Sequence, residues 1–218
     1  MKTMEGLAMT EYVFDIEADG IDATKIHCMI ANGEEVNRFF FKNLTSDDVL
    51  IGHNIIRYDI PTIERLLNIK IKAQLIDTLA LSWYLFPTIN RHGLEQWGER
   101  LNIEKPTITD WENLTREEYI HRCKEDVKIN TKLWGLQKSL LIKIYDGDYQ
   151  PLVRYLSFKM KMAMLQEKSK WKLDVNKANT LLNELELKNE QAINELSKVM
   201  PKVPKIAKRK KPKLPFKQ

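Results

Sequence analysis

Cysteine is almost missing from this chain. Only Cys28 and Cys123 occur in 218 residues. That excludes a disulfide framework and makes a reducing cytoplasm the expected location. Long apolar runs are missing too. No stretch reaches the roughly 18 residues that a membrane span requires, so no membrane partner is expected. Residues 1–15, MKTMEGLAMTEYVFD, lack the apolar segment of a secretory leader because Glu5 and Glu11 interrupt it. No internal repeat is visible. Residues 201–218 contain no acidic side chain and one aromatic, Phe216, so a base-stacking platform is not expected there.

What is present fits a globular protein, with 43% hydrophobic and 9% aromatic residues. The length suits one full core plus an appendage. The net charge of +5 is uneven. Residues 201–218 hold seven Lys and one Arg, which leaves 27 basic against 30 acidic residues, or −3, in the rest. A mildly acidic body with a basic, proline-rich, unstructured tail is expected. Such a tail suits salt-sensitive contact with a phosphate backbone.

Residues 12–15 read as a strand that ends at Asp15. Residues 26–30 form a second strand, Asn32-Gly33 a hairpin turn, and residues 36–41 a third strand. Residues 45–48 read as a turn or a helix start, and residues 49–51 as a short buried strand. Pro61 fits the first turn of a helix. Residues 75–78 end a strand and open another helix, and residues 94–101 form a further one. Thr115 and Glu118 have capping-box spacing at the head of a longer helix through Trp134. Residues 152–166 are helical, residues 171–174 extended, and residues 176–200 a long amphipathic helix whose stripe includes Leu181, Leu182, Leu185 and Ile193. Strands first, then mixed strands and helices, predict a central sheet with helices packed on it.

Four carboxylates carry the chemistry. Asp15 and Glu17 lie two apart on a strand, so both point to one face. Burying them together is costly unless a cation neutralises them, and a hard divalent ion takes several carboxylate oxygens readily. Asp59 alone could cap a helix, and Asp126 alone could lie on a solvated helix face.

Taken together the motifs resemble the proofreading 3′–5′ exonucleases of the DEDD superfamily. More closely, the chain is similar to the exonuclease portion of T7-like phage family A DNA polymerases. The residues that carry this are Asp15-Ile-Glu17-Ala18, His53-Asn54-x-x-x-Tyr58-Asp59-x-Pro61, Ile76-Asp77-Thr78-Leu79, His92-Gly93-Leu94-Glu95-x-Trp97-Gly98-x-Arg100-Leu101, and Asp126-Val127. The resemblance spans residues 10–140. Weaker similarity through residue 200 looks like the first segment of a polymerase region. It implies an RNase H-like (DnaQ-like) α/β fold with a mixed sheet flanked by helices, a helical extension over 141–200, and the tail over 201–218.

The resemblance also implies roles. Asp15, Glu17 and Asp126 would hold one divalent cation, and Asp15 with Asp59 a second, Mg²⁺ or Mn²⁺ in each case. Ile21 would wedge against the terminal base, and Asn54 would touch the terminal nucleotide, with Tyr58 and Arg122 also facing substrate. Polymerase-linked members place a water-orienting tyrosine four residues before the last aspartate, where this chain has Arg122. A second subclass places a histidine five residues before it, where this chain has His121. Water activation is therefore expected of His121. On a regular helix, however, five steps put it about 140° from Asp126. That role requires a helix starting later than Thr115 or broken near Arg122. Arg122, on the Asp126 face, could instead neutralise carboxylates or grip the scissile phosphate.

The function expected is 3′–5′ hydrolysis of DNA to nucleoside 5′-monophosphates, with unpaired ends preferred. The chain is too short to polymerise by itself, so a separate polymerase subunit is a candidate partner. Two other readings stand beside this one. One is a non-catalytic DNA-binding or scaffolding piece of a split phage polymerase. The other is an RNA-trimming nuclease of the same superfamily.

Overall fold

The computed structural model describes residues 10–103, 114–170 and 172–200. Residues 1–9 and the basic segment 201–218 lie outside them, so expectations for the chain start and the tail fall there. Trp171 of the expected extended piece does too.

Strand β1 (Thr10–Ala18) is central in a five-stranded sheet of order β3-β2-β1-β4-β5. It pairs antiparallel with β2 (Ile26–Ala31) and parallel with β4 (Asp48–Gly52). β2 turns back into the two-residue β3 (Glu34–Glu35), and β5 (Gln74–Asp77) runs parallel to β4. The β2–β3 turn uses Asn32 and Gly33 at φ 50° and 87°. Both central residues of a twisted two-residue hairpin need that left-handed backbone, which Asn and Gly adopt cheaply.

Residues 36–41 do not form the expected third strand. They lead into helix α1 (Arg38–Asn43). Asn37 caps it by accepting from the Phe39 N–H at 2.9 Å. Phe41 is then fully buried, and Phe40 meets Tyr12 edge-on at 5.0 Å. An aromatic run suits strand or helix, and the local cap decides here. Residues 45–48 form a turn, closed by Asp48 Oδ2 accepting from the Thr45 N–H at 2.7 Å.

Helices α2 (Asp59–Leu67), α3 (Thr78–Leu85) and α4 (Leu94–Arg100) follow the parallel strands. Asp77 caps α3 and also accepts from the Asn54 and Ile56 N–H groups, which ties β5 to the end of β4. Helix α5 (Arg116–Ile144) starts at the Thr115–Glu118 capping box and runs unbroken. It lies along β1 in the opposite direction. Glu11 near the start of β1 meets Trp134 and Lys138, while Glu17 near its end meets Arg122.

Helix α6 (Gln150–Ser169) packs on β5, with Ser157 Oγ donating to the Leu75 carbonyl at 3.0 Å. Residues 141–169 thus share the core of the sheet. Phe14, Ile30, Phe41, Leu50, Ile51, Ile55 and Ile63 are fully buried in that core. Each such side chain contributes about 1.5–3 kcal/mol by leaving water. The chain divides into two compact units after Ser169. The second contains α7 (Val175–Val199), a helix capped by Asp174 in which no residue is buried.

Candidate active site

The sheet brings two of the four carboxylates to the α5 side of β1. Val13, Asp15 and Glu17 alternate with Phe14 and Ile16, so the acids face the helix while the apolar side chains fill the core. From α5, Asp126 points back at them. Single oxygens of Asp15, Glu17 and Asp126 all lie within 4.8 Å of one another. Asp126 is buried, and Asp15 and Glu17 are half-buried.

Three carboxylates this close repel strongly unless cations intervene. Arg122 supplies one positive charge, its Nε donating to Glu17 Oε1 at 2.7 Å. Cys123 Sγ donates to Asp15 Oδ2 at 3.6 Å. Cys123 and Cys28 are both buried thiols. The convergent donors are carboxylate oxygens, the set that a hard divalent cation prefers, and their spacing fits a single ion.

Asp59 stands beside this trio rather than within it. β4 ends at Gly52, so the β4 edge of β1 beyond Val13 has no strand partner. Asp59, in the first turn of α2, fills that position, where the Ile16 N–H counteracts part of the cost of charging it. Burial pushes its carboxyl up to about 8, and the charges of Asp77 and Glu17 push the same way. A carboxyl that holds a proton near neutrality becomes a ligand only when a cation displaces the proton.

Gly52 makes the close approach of β4, Ile55 and β1 possible. A Cβ there would lie 1.9 Å from Ile55 Cγ2 and 3.1 Å from the Phe14 carbonyl oxygen. The chain then turns through Asn54 at φ 67°. Asn54 Oδ1 is buried and has no hydrogen-bond partner among the described residues. Tyr58 donates its hydroxyl to the Gly20 carbonyl at 2.6 Å, which ties α2 to the loop after β1. In that loop Ile21 is 90% exposed.

His121 is the expected residue that the structure does not bring to the carboxylates. The capping box fixes the start of α5 at Arg116, and the helix is continuous through Arg122. Neither condition for its participation is met. It is exposed, about 140° around the helix from Asp126. Arg122 is four steps back, about 40° from Asp126, and it takes the place beside Glu17.

The supporting shell was less visible in the sequence. His53 Nδ1 lies 3.0 Å from Thr78 Oγ1, which donates to Asn130 Oδ1 at 2.7 Å. Gln137 Nε2 donates to the Thr78 carbonyl at 2.9 Å. These contacts clamp the ends of β4 and β5 to α5. The only sequence signal was polar residues at buried helical positions. Ser82 Oγ likewise joins His92 Nδ1, at 2.7 Å, to Trp97 Nε1, at 3.0 Å.

No protein-family model matches the chain. A stretch of 82 residues is 38% identical to part of a PolC-type DNA polymerase III from Mycoplasma genitalium. The match takes in 36% of this chain and 5% of that polymerase. Among solved structures, Brucella melitensis NrnC superposes with a TM-score of 0.54 at 12% identity, over 78% of this chain and 93% of that one. NrnC bound to pGG gives 0.56 at 14% identity, over 80% and 94%. NrnC with bound Mg²⁺ gives 0.54 at 14% identity, again over 80% and 94%. At these identities the likeness is one of fold. The chain has the RNase H-like exonuclease fold, a mixed sheet flanked by helices with a helical region at its C-terminal end.

Proposed function

We propose that this protein is a metal-dependent 3′–5′ exonuclease that removes nucleoside 5′-monophosphates from DNA, acting on single-stranded or frayed ends. The observation that carries the reading is the convergence of Asp15, Glu17 and Asp126 within 4.8 Å. A fold shared with a nuclease solved with Mg²⁺ and with pGG supports it, as does the short identity to a PolC-type polymerase.

Asp15, Glu17 and Asp126 would hold one divalent cation, and Asp15 with Asp59 a second, Mg²⁺ or Mn²⁺. Bound there, such ions stabilise negative charge on the attacking and departing oxygens of a phosphodiester. The side chains of the protein do the positioning. Asn54 Oδ1, a buried acceptor with no hydrogen-bond partner among the described residues, suits the 3′-hydroxyl of the last nucleotide as donor. Ile21 offers an apolar surface to the terminal base, and Tyr58 holds the Ile21 loop to α2. Arg122 neutralises Glu17 and, were a cation to take over that charge, would be free to donate to a phosphate oxygen of the substrate. His121, exposed and turned away from Asp126 on α5, is not assigned the role of general base.

Residues 10–140 form the exonuclease portion in this reading. Residues 141–200 form an extension similar to the start of a polymerase region, and residues 201–218 add sequence-independent DNA affinity. A polymerase partner and a cytoplasmic site of action belong to the same proposal.

The test is digestion of 5′-labelled single-stranded DNA, blunt duplex and RNA of one sequence with Mg²⁺ or Mn²⁺. A ladder shortening from the 3′ end, fastest on single-stranded DNA, is expected. Internal cuts, or degradation of RNA alone, would overturn the substrate assignment.

A further inference from the structure

A groove of about 770 Å³ is lined by Ile21 and Tyr58, and Tyr58 lies near enough to the carboxylates to feel the charges of Asp59, Glu17 and Asp15. Its floor follows α2 from Pro61 to Asn68, and the last turns of α6 form its other wall. Four basic side chains line it, Arg57, Arg65, Lys70 and Lys168, against the acids Asp22 and Glu64. With Glu167, which pairs with Arg57 across the groove, the balance of 4 − 3 gives +1 on this surface. Outside residues 201–218 the whole chain carries 27 − 30, or −3. An acidic body that gathers positive charge along one groove near its carboxylate cluster draws in a polyanion.

The neighbouring ion pairs show how the groove is held before it is filled. Arg57 pairs with Glu167 across the groove, through its Nε at 3.2 Å to Oε2 and a second contact from its Nη2. Lys70 pairs with Glu64 at 3.0 Å, yet its side chain is 85% exposed. Arg65 donates to the Ala23 carbonyl at 2.5 Å, which fixes it beside the Ile21 loop. Exposed pairs of this kind contribute little to stability, so phosphate oxygens compete with Glu64 and Glu167 at small cost. Helix α2 is nine residues long, about 13 Å, which gives the track room for more than one phosphate of a single strand.

We infer that the groove between α2 and the end of α6 is the entry track for the single strand, where Arg57, Arg65, Lys70 and Lys168 contact the phosphates upstream of the terminal nucleotide. The inference rests on the nuclease reading for its polarity, since the end at Tyr58 and Ile21 is the end near the carboxylates. The contacts are to phosphates, so DNA and RNA strands share them.

The experiment is fluorescence anisotropy of the full chain in EDTA with labelled dT12, rU12 and a dT dinucleotide, across a salt series. Arg57→Ala/Lys168→Ala should weaken dT12 binding about tenfold and lower the magnitude of the salt slope by about 1.4, roughly 0.7 for each lost phosphate contact. Dinucleotide binding should not change. Glu167→Gln, which frees Arg57, should tighten dT12 binding. Arg57→Lys should recover much of the loss, which separates charge from folding. Unchanged dT12 affinity and slope in the double variant, or equal loss for the dinucleotide, would overturn the track. Equal loss for dT12 and rU12 fits a phosphate track, and a loss confined to one of them would refute it. Hydrolysis does not enter this readout. A groove effect without nuclease activity would sink only the nuclease reading, and activity without a groove effect would sink only the track.

Discussion

Removing Arg122 tests whether the carboxylate trio is a cation site without relying on turnover. Its Nε is 2.7 Å from Glu17 Oε1, and the two side chains are only 20% and 13% exposed. Opposite unit charges about 4 Å apart interact by about 4 kcal/mol at an effective dielectric constant near 20. Breaking a buried pair while one charge stays behind costs about 3–5 kcal/mol. With the partial exposure here, Arg122→Ala should destabilise the metal-free protein by about 2–3 kcal/mol. The same change removes the competitor of the metal for Glu17. A divalent ion at a hundred times its Kd stabilises by about 2.7 kcal/mol, and each tenfold gain in affinity adds about 1.4 kcal/mol. Urea unfolding of wild type and variant, in EDTA and in saturating Mn²⁺, measures both effects. The stability gap between them should narrow when Mn²⁺ is present. A gap that stays constant or widens with metal would refute the view that Arg122 occupies the charge position of a cation.

Asp59 predicts a pH dependence of defined sign. Its folded carboxyl sits at about 8 against an ordinary value of 3.8. Between those values the folded protein keeps a proton that the unfolded chain has lost. The contribution of Asp59 to metal-free stability is therefore fully present below about pH 4 and falls as pH rises through 8, by about 1.4 kcal/mol per tenfold difference in proton affinity. Asp59→Asn should flatten that slope in denaturant titrations at several pH values, and an unchanged slope would count against the assignment. Gly52→Ala should lower stability by about 3 kcal/mol or prevent folding, because its Cβ would lie 1.9 Å from Ile55 Cγ2. Thermal melts check this, and a near-native Tm would contradict the packing described. His121→Ala should leave the hydrolysis rate within about twofold of wild type, since a side chain on the far side of α5 removes no barrier. A hundredfold loss in single-turnover assays would put a base there after all.

Much of the frame was legible from local rules. Asn32-Gly33 specified its hairpin, and Thr115 with Glu118 fixed the start of α5. The period of two placed Asp15 and Glu17 on one face of β1. Residues 36–41 misled because Phe39, Phe40 and Phe41 suit a strand as well as a helix, and the outcome turned on one cap from Asn37. The pairing of Glu17 with Arg122 joins residues 105 positions apart, and no local pattern announces such a contact. The helical period did carry the warning about His121, and the uninterrupted α5 bears that geometry out. The high affinity of Asp59 for its proton depends on burial beyond the end of β4, which only the assembled sheet creates.

The most direct measurement is mass analysis of the products from single-stranded DNA incubated with Mn²⁺ and either the wild-type protein or Asp15→Ala. The wild type should release nucleoside 5′-monophosphates, and Asp15→Ala should leave the strand intact. An intact strand with both proteins, or equal degradation by both, would contradict it.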